Sequence, residues 1–102
     1  MAITVATPAV TQMDICSQRP GRAVNKITAD LTDIDTGLDT ATITFPTALD
    51  AAPEIISVVH VSDEVIYDSV KSVSASAIVL NCTSVTAGVA SSVSVIYQTV
   101  IG

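Results

Sequence analysis

Apolar and polar residues alternate with a period of two through most of this chain. Over residues 23–31, Ala23, Asn25, Ile27, Ala29 and Leu31 share one face, and Val24, Lys26, Thr28 and Asp30 share the other. Over residues 92–101, Val93, Val95, Tyr97, Thr99 and Ile101 stand against Ser94, Ile96, Gln98 and Val100. No segment sustains an apolar stripe at i, i+3, i+4, so no helix is predicted. Further strands are predicted over residues 41–45, 54–62, 65–68 and 72–83. The run of Ile and Val within residues 54–62 predicts a strand covered on both faces. The acidic loop 32–39, closed by Gly37, separates the first two strands. Pro46 and Pro53 bound the next connection, Asp63 and Glu64 a tight turn, and Gly88 lies in a turn over residues 84–90. Short strands at this spacing predict an all-β fold, a small antiparallel β-sandwich of about six strands.

Composition agrees. Val occurs 15 times, Ile 11 and Thr 13, against four Leu, and branching at Cβ suits a pleated sheet better than a helix. At 102 residues the chain is one domain. Burying the apolar part of roughly 9,800 Å² contributes roughly 150 kcal/mol. Ordering about 100 residues costs about the same. A partner surface is therefore expected to supply the margin of stability.

Residues 1–22 stand apart, because Pro8, Pro20 and Gly21 interrupt them and proline cannot donate to a ladder. They are predicted to form an N-terminal arm on a body of residues 23–102. Ile3, Val5, Val10, Met13 and Ile15 would anchor that arm on a neighbour's sheet edge. Arg19, Arg22 and Lys26 form a basic collar that would steer it. Charge divides in the same way, since residues 1–29 carry a net +2 and residues 30–102 a net −8. With four basic residues and a pI near 4.2, the chain is not expected to bind nucleic acid. Residues 72–102 are too rich in Ser and Thr for a membrane span. The first residues lack the basic and apolar regions of a secretory leader. Cys16 and Cys82 are thus expected as free thiols in a reducing compartment.

No chemical motif emerges. His60, the single histidine, would need a nucleophile and an orienting carboxylate to act as a base, and no Gly-x-Ser-x-Gly elbow is present. It is expected at a sheet face or a subunit contact. Asp30, Asp33, Asp35 and Asp39 lack the third acid and the terminal glutamate of a calcium loop, so a solvated turn is expected. Asp63, Glu64 and Asp68 read as a turn between strands, not as a glycosidase pair. No catalytic residue, metal or cofactor is predicted.

The stretch Ala41-Thr42-Ile43-Thr44-Phe45-Pro46-Thr47-Ala48-Leu49, followed by Ala52-Pro53-Glu54-Ile55-Ile56, resembles the opening of H-type-lectin-like knobs that end bacteriophage tail fibres. Residues 73–80 resemble the next strand of that pattern. Residues 93–97, running on to Ile101-Gly102, resemble its closing strand, with Val95 near the place where the family usually carries an aromatic. The resemblance implies a six-stranded sandwich that forms trimers or hexamers. Similar small β domains serve on virions as receptor-binding tips, head fibres and capsid decoration. The expectation is therefore a non-enzymatic bacteriophage virion protein, assembled in the bacterial cytoplasm. It would be a homotrimeric capsid decoration (cement) protein whose arm docks on the major capsid protein or another virion protein. The alternative is a lectin-like carbohydrate- or receptor-binding knob, which would expose His60, Tyr67 or Tyr97 in a pocket at subunit boundaries.

Overall fold

Alternation in the sequence becomes two antiparallel sheets laid face to face. The computed structural model describes residues 3–15, 22–62 and 64–100, without the side chains of residues 7, 12–15, 22 and 100. Among these residues there are seven strands and no helix: β1 (Thr4–Ile15), β2 (Arg22–Ile34), β3 (Asp39–Thr44), β4 (Glu54–Val61), β5 (Ile66–Val73), β6 (Ala77–Ser84) and β7 (Val89–Val100). One sheet has the order β1-β2-β7-β4 and the other β3-β6-β5. The three strands of 12 or 13 residues lie in the first sheet, and the second is built from strands of six to eight. The molecule is accordingly long, with extents of 44 × 22 × 20 Å.

The inner faces make the core. Ile27, Ala29, Leu31, Val93, Val95 and Tyr97 from β2 and β7 meet Ala41, Ile43, Ile78, Leu80 and Cys82 from β3 and β6. Phe45 closes one end, its ring edge-on to Tyr97 at a centroid distance of 5.2 Å and an interplanar angle of 62°. Its position is fixed by backbone bonds from the Phe-Pro segment to the β5–β6 turn. Phe45 N donates to Ser76 O at 2.9 Å, and Leu49 N to Ala75 O at 2.8 Å.

Bulges decide which side chains face inward. Between Leu31 and Ile34 the β2–β7 register shifts by one residue, and Asp33 takes a left-handed φ of 65°. Asp tolerates that conformation better than most residues do. The extra residue flips the parity of the strand and turns Ile34 into the core. Further shifts fall at Ile56 in β4, at Lys71 in β5 and at two places in β1. These three are edge strands, where bulges discourage pairing with other chains.

Three expectations change. Residues 54–62 are not covered on both faces: Ile56, Val59 and Val61 are exposed, and the bulge at Ile56 in this edge strand explains why the apolar run breaks simple alternation. Residues 72–83 are not one strand. Ser74 ends β5 in a tight turn, its N–H donating to Ala77 O and its hydroxyl accepting from the N–H groups of Ser76 and Ala77. Finally, most of the stretch set apart as an arm, Thr4–Ile15, is the edge strand β1, paired antiparallel with β2 of the same chain. Pro8 sits within the irregularity between Ala6 and Ala9, which spares the ladder the N–H that proline lacks. Ile3 is buried in the core and Val5 packs against it. At this flank β1 also contacts β3 across the sandwich.

If β1 is integral to the body, Ile3→Ala destabilises the protein by about 2 kcal/mol, the low end for an Ile to Ala change in a core. Urea denaturation followed by circular dichroism measures this. An unchanged midpoint would return residues 3–15 to the status of a separable arm.

Candidate functional site

The flank opposite the β1–β3 contact is formed by β4 and β5, the free edges of the two sheets. In register, His60 pairs with Val93 and Asp68 with Cys82, both of which are core residues. His60 and Asp68 therefore point between the sheets, from opposite layers, and they meet. His60 Nε2–H donates to Asp68 Oδ2 at 2.6 Å. The other ring nitrogen, Nδ1, lies 3.3 Å from Ser91 Oγ. That hydroxyl is also 3.3 Å from the Val61 carbonyl and 3.2 Å from the Ser92 carbonyl. A single hydroxyl proton serves one acceptor at a time: Nδ1 or one of the two carbonyls when the ring is neutral with its proton on Nε2, and a carbonyl alone when Nδ1 is also protonated and donates to Oγ.

Serine, histidine and aspartate thus come together, which no spacing in the sequence announced. As a nucleophile Ser91 would need an open Oγ and donors aimed at a developing oxyanion. Instead it is 6% exposed and faces backbone carbonyls. What the trio does physically is fasten β4, β5 and β7 at the open side of the sandwich. Nearby, burial pushes the Cys82 thiol up to about 11, and the Asp68 charge adds to the shift. Cys82 is a free, buried thiol, held protonated in neutral solution. Burial likewise raises the Tyr97 phenol above its ordinary value.

The other sequence candidates scatter. Asp35 Oδ1 accepts from Gly88 N at 2.9 Å, which anchors the turn where Gly88 takes a φ of 73°. Asp30 Oδ1 accepts from Ser92 Oγ at 2.9 Å, and Asp39 Oδ1 from Thr40 N at 3.3 Å. Among the described residues no three His, Cys, Asp or Glu side chains converge as metal ligands would. Of the residues proposed as arm anchors, Ile3 is buried, Val5 is half-buried and Val10 is exposed. Val10 borders a recess of about 280 Å³ beneath Asn25, Tyr97 and the loop from Pro46 to Leu49. Lys26 is half-buried on β2. Met13, Ile15 and Arg22 have described backbones only, while Arg19, Cys16 and Asp63 lie outside the described residues. Of the two tyrosines considered for ligand contact, Tyr97 is in the core and Tyr67 is exposed on β5.

No family model matches the chain, and no curated protein matches it in sequence. Solved structures do match its fold. An N-truncated R1-type pyocin tail fibre superposes with a TM-score of 0.59 at 20% identity, over 89% of this chain and 85% of that one. The chain has a tail-fibre-like β fold. A C-terminal fragment of the P. aeruginosa R1 pyocin fibre gives the same score and identity over 89% of this chain, which spans 28% of the fragment. At this identity the likeness is one of architecture alone.

If the His60–Asp68 pair fastens the flank, the two side chains are energetically coupled. A double-mutant cycle of His60→Ala and Asp68→Ala, read by urea denaturation at pH 6, should give about 1 kcal/mol of coupling, as expected of a partly screened pair. Strict additivity would mean that the two strands are held by packing alone.

Proposed function

We propose that this chain is a non-enzymatic structural module of a bacteriophage or phage-tail-like particle, placed on its fibre and assembled there as a homotrimer. The observation that carries the reading is the shared architecture over nearly the whole of both chains, this one and the R1-type pyocin tail fibre. Fibre neighbours favour a position on the tail fibre, where the knobs that residues 41–56, 73–80 and 93–102 resemble are found, over the capsid decoration expected from the sequence. The burial of Ser91 and the engagement of its hydroxyl with backbone support the non-enzymatic part of the reading. A net charge of −6 supports protein partners over nucleic acid.

Residues 3–15 take a different part from the one expected. As an edge strand they contribute to the module's own sheet, so particle attachment is assigned to the folded body together with whatever lies beyond it. The lectin-like alternative is weaker. Of the aromatic rings, Tyr67 alone stands exposed, on an edge strand, while Phe45 and Tyr97 are spent on the core.

Antibodies raised against the purified chain test the placement. Gold labelling of particles from producing cells should decorate tail fibres in electron micrographs. Label on the heads would restore the decoration role, and unlabelled particles would overturn the assignment to a particle altogether.

A further inference from the structure

We propose that the β4–β5 flank is the surface through which copies of this chain meet around a cyclic axis. This rests on the self-association proposed above and names the face that carries it.

The first argument is the placement of apolar surface. Among the described residues nine large apolar side chains are exposed, and seven gather at this flank. Ile56, Val59 and Val61 come from β4, Tyr67 and Val70 from β5. Val65 lies in the connection between them, and Val85 is tied to it by a bond from Val85 N to Val65 O. Their exposures run from 41% to 69%. Together these amount to roughly 700 Å², above the few hundred Å² usual for a monomer's largest apolar patch.

The second argument concerns what kind of partner fits. The bulges at Ile56 and Lys71 break the hydrogen-bonding edges of both strands. An added strand from a flexible peptide would meet an irregular ladder on either edge, so this flank suits side-chain packing against a folded surface. The patch also bends around an edge. Val59 and Val61 pair with Ser94 and Ser92 on the outer face of the four-stranded sheet, and Tyr67 pairs with Thr83 on the outer face of the other. Two apolar sides on one ridge suit a ring, in which each copy touches two neighbours, better than a single two-fold plane. An open hollow of about 600 Å³ adjoins the ridge between Val61, Ser62, Glu64 and the turn from Thr86 to Val89. A ridge beside a hollow offers two different patches, one convex and one concave, of the kind a head-to-tail contact between identical copies joins.

Charge makes this flank the least opposed place for such a contact. Copies of a chain with net charge −6 repel, and contact is least opposed where charge is sparse or already engaged. Along this flank Asp68 is hydrogen-bonded to His60 and Lys71 offsets one acid, while Glu54 and Glu64 stand at either end of β4. The middle of the patch is left to Val, Ile and Tyr.

Light scattering on the full chain, over a range of concentrations, is the test. The wild-type chain should show a mass near three times 10.5 kDa. Val61→Lys and Tyr67→Lys, at sites 69% and 61% exposed, should each reduce it to the monomer with an unchanged circular dichroism spectrum. Leu38→Lys, exposed in the loop after β2, should leave the assembly intact. An assembled wild type whose flank variants stay assembled, or whose Leu38 variant also falls apart, would overturn this face while preserving self-association. A wild type that stays monomeric at every concentration would overturn both and leave the flank to a different protein.

Discussion

Everything in this molecule depends on the packing of two inner sheet faces, one long and one short. β2 and β7 supply Ile27, Leu31, Val93, Val95 and Tyr97, and β3 and β6 answer with Ala41, Ile43, Ile78, Leu80 and Cys82. Burial of these side chains is the dominant favourable term, and β-branching makes Ile27, Val93, Val95, Ile43 and Ile78 fit a pleated surface without much loss of rotamer freedom. Local irregularities serve it. The bulge at Asp33 turns Ile34 inward, the turn at Ser74 brings β6 back beside β5, and the Phe-Pro segment caps the end with Phe45 on Tyr97. The edges are left less finished. β1 and β3 close one flank, but at the other a short polar network of His60, Asp68 and Ser91 spans the gap, and apolar side chains remain on view around it.

Legibility in the sequence followed this division. Where a strand sits in the middle of a sheet and keeps strict alternation, its buried face could be read directly: Ile27, Ala29 and Leu31 in β2, and Val93, Val95 and Tyr97 in β7, all face inward as the period of two required. Edge strands were harder. A single extra residue reverses parity, so the bulges at Ile56 and Lys71 turned alternating strands into sequences without a clean period. The turn at Ser74–Ala75–Ser76 carries neither Gly nor Pro, because a serine hydroxyl does the capping, and it passed for strand. Pro8 signalled an edge correctly but suggested detachment where the chain makes a bulged pairing instead.

The His60 network was illegible for a different reason. Its three residues lie 8 and 31 positions from one another along the chain, and their meeting depends on which edges of two separate sheets stand side by side. Strand parity tells that His60 and Asp68 face inward, but not that β4 and β5 share a flank. The tail-fibre likeness, by contrast, left a trace in the sequence, in the Phe45-Pro46 segment and the strands after it, and the fold matches a pyocin tail fibre at 20% identity.

The central claim is that β2 and β7, packed on β3 and β6, form the spine of the fold while β4 and β5 depend on what covers them. Amide hydrogen exchange resolved by NMR tests this most directly. In dilute protein the amides of β2 and β7 should exchange slowest, those of β4 and β5 markedly faster, and on raising the concentration protection should rise in β4 and β5 selectively. Amides of β4 and β5 that are as protected as the spine in dilute solution, and indifferent to concentration, would contradict it.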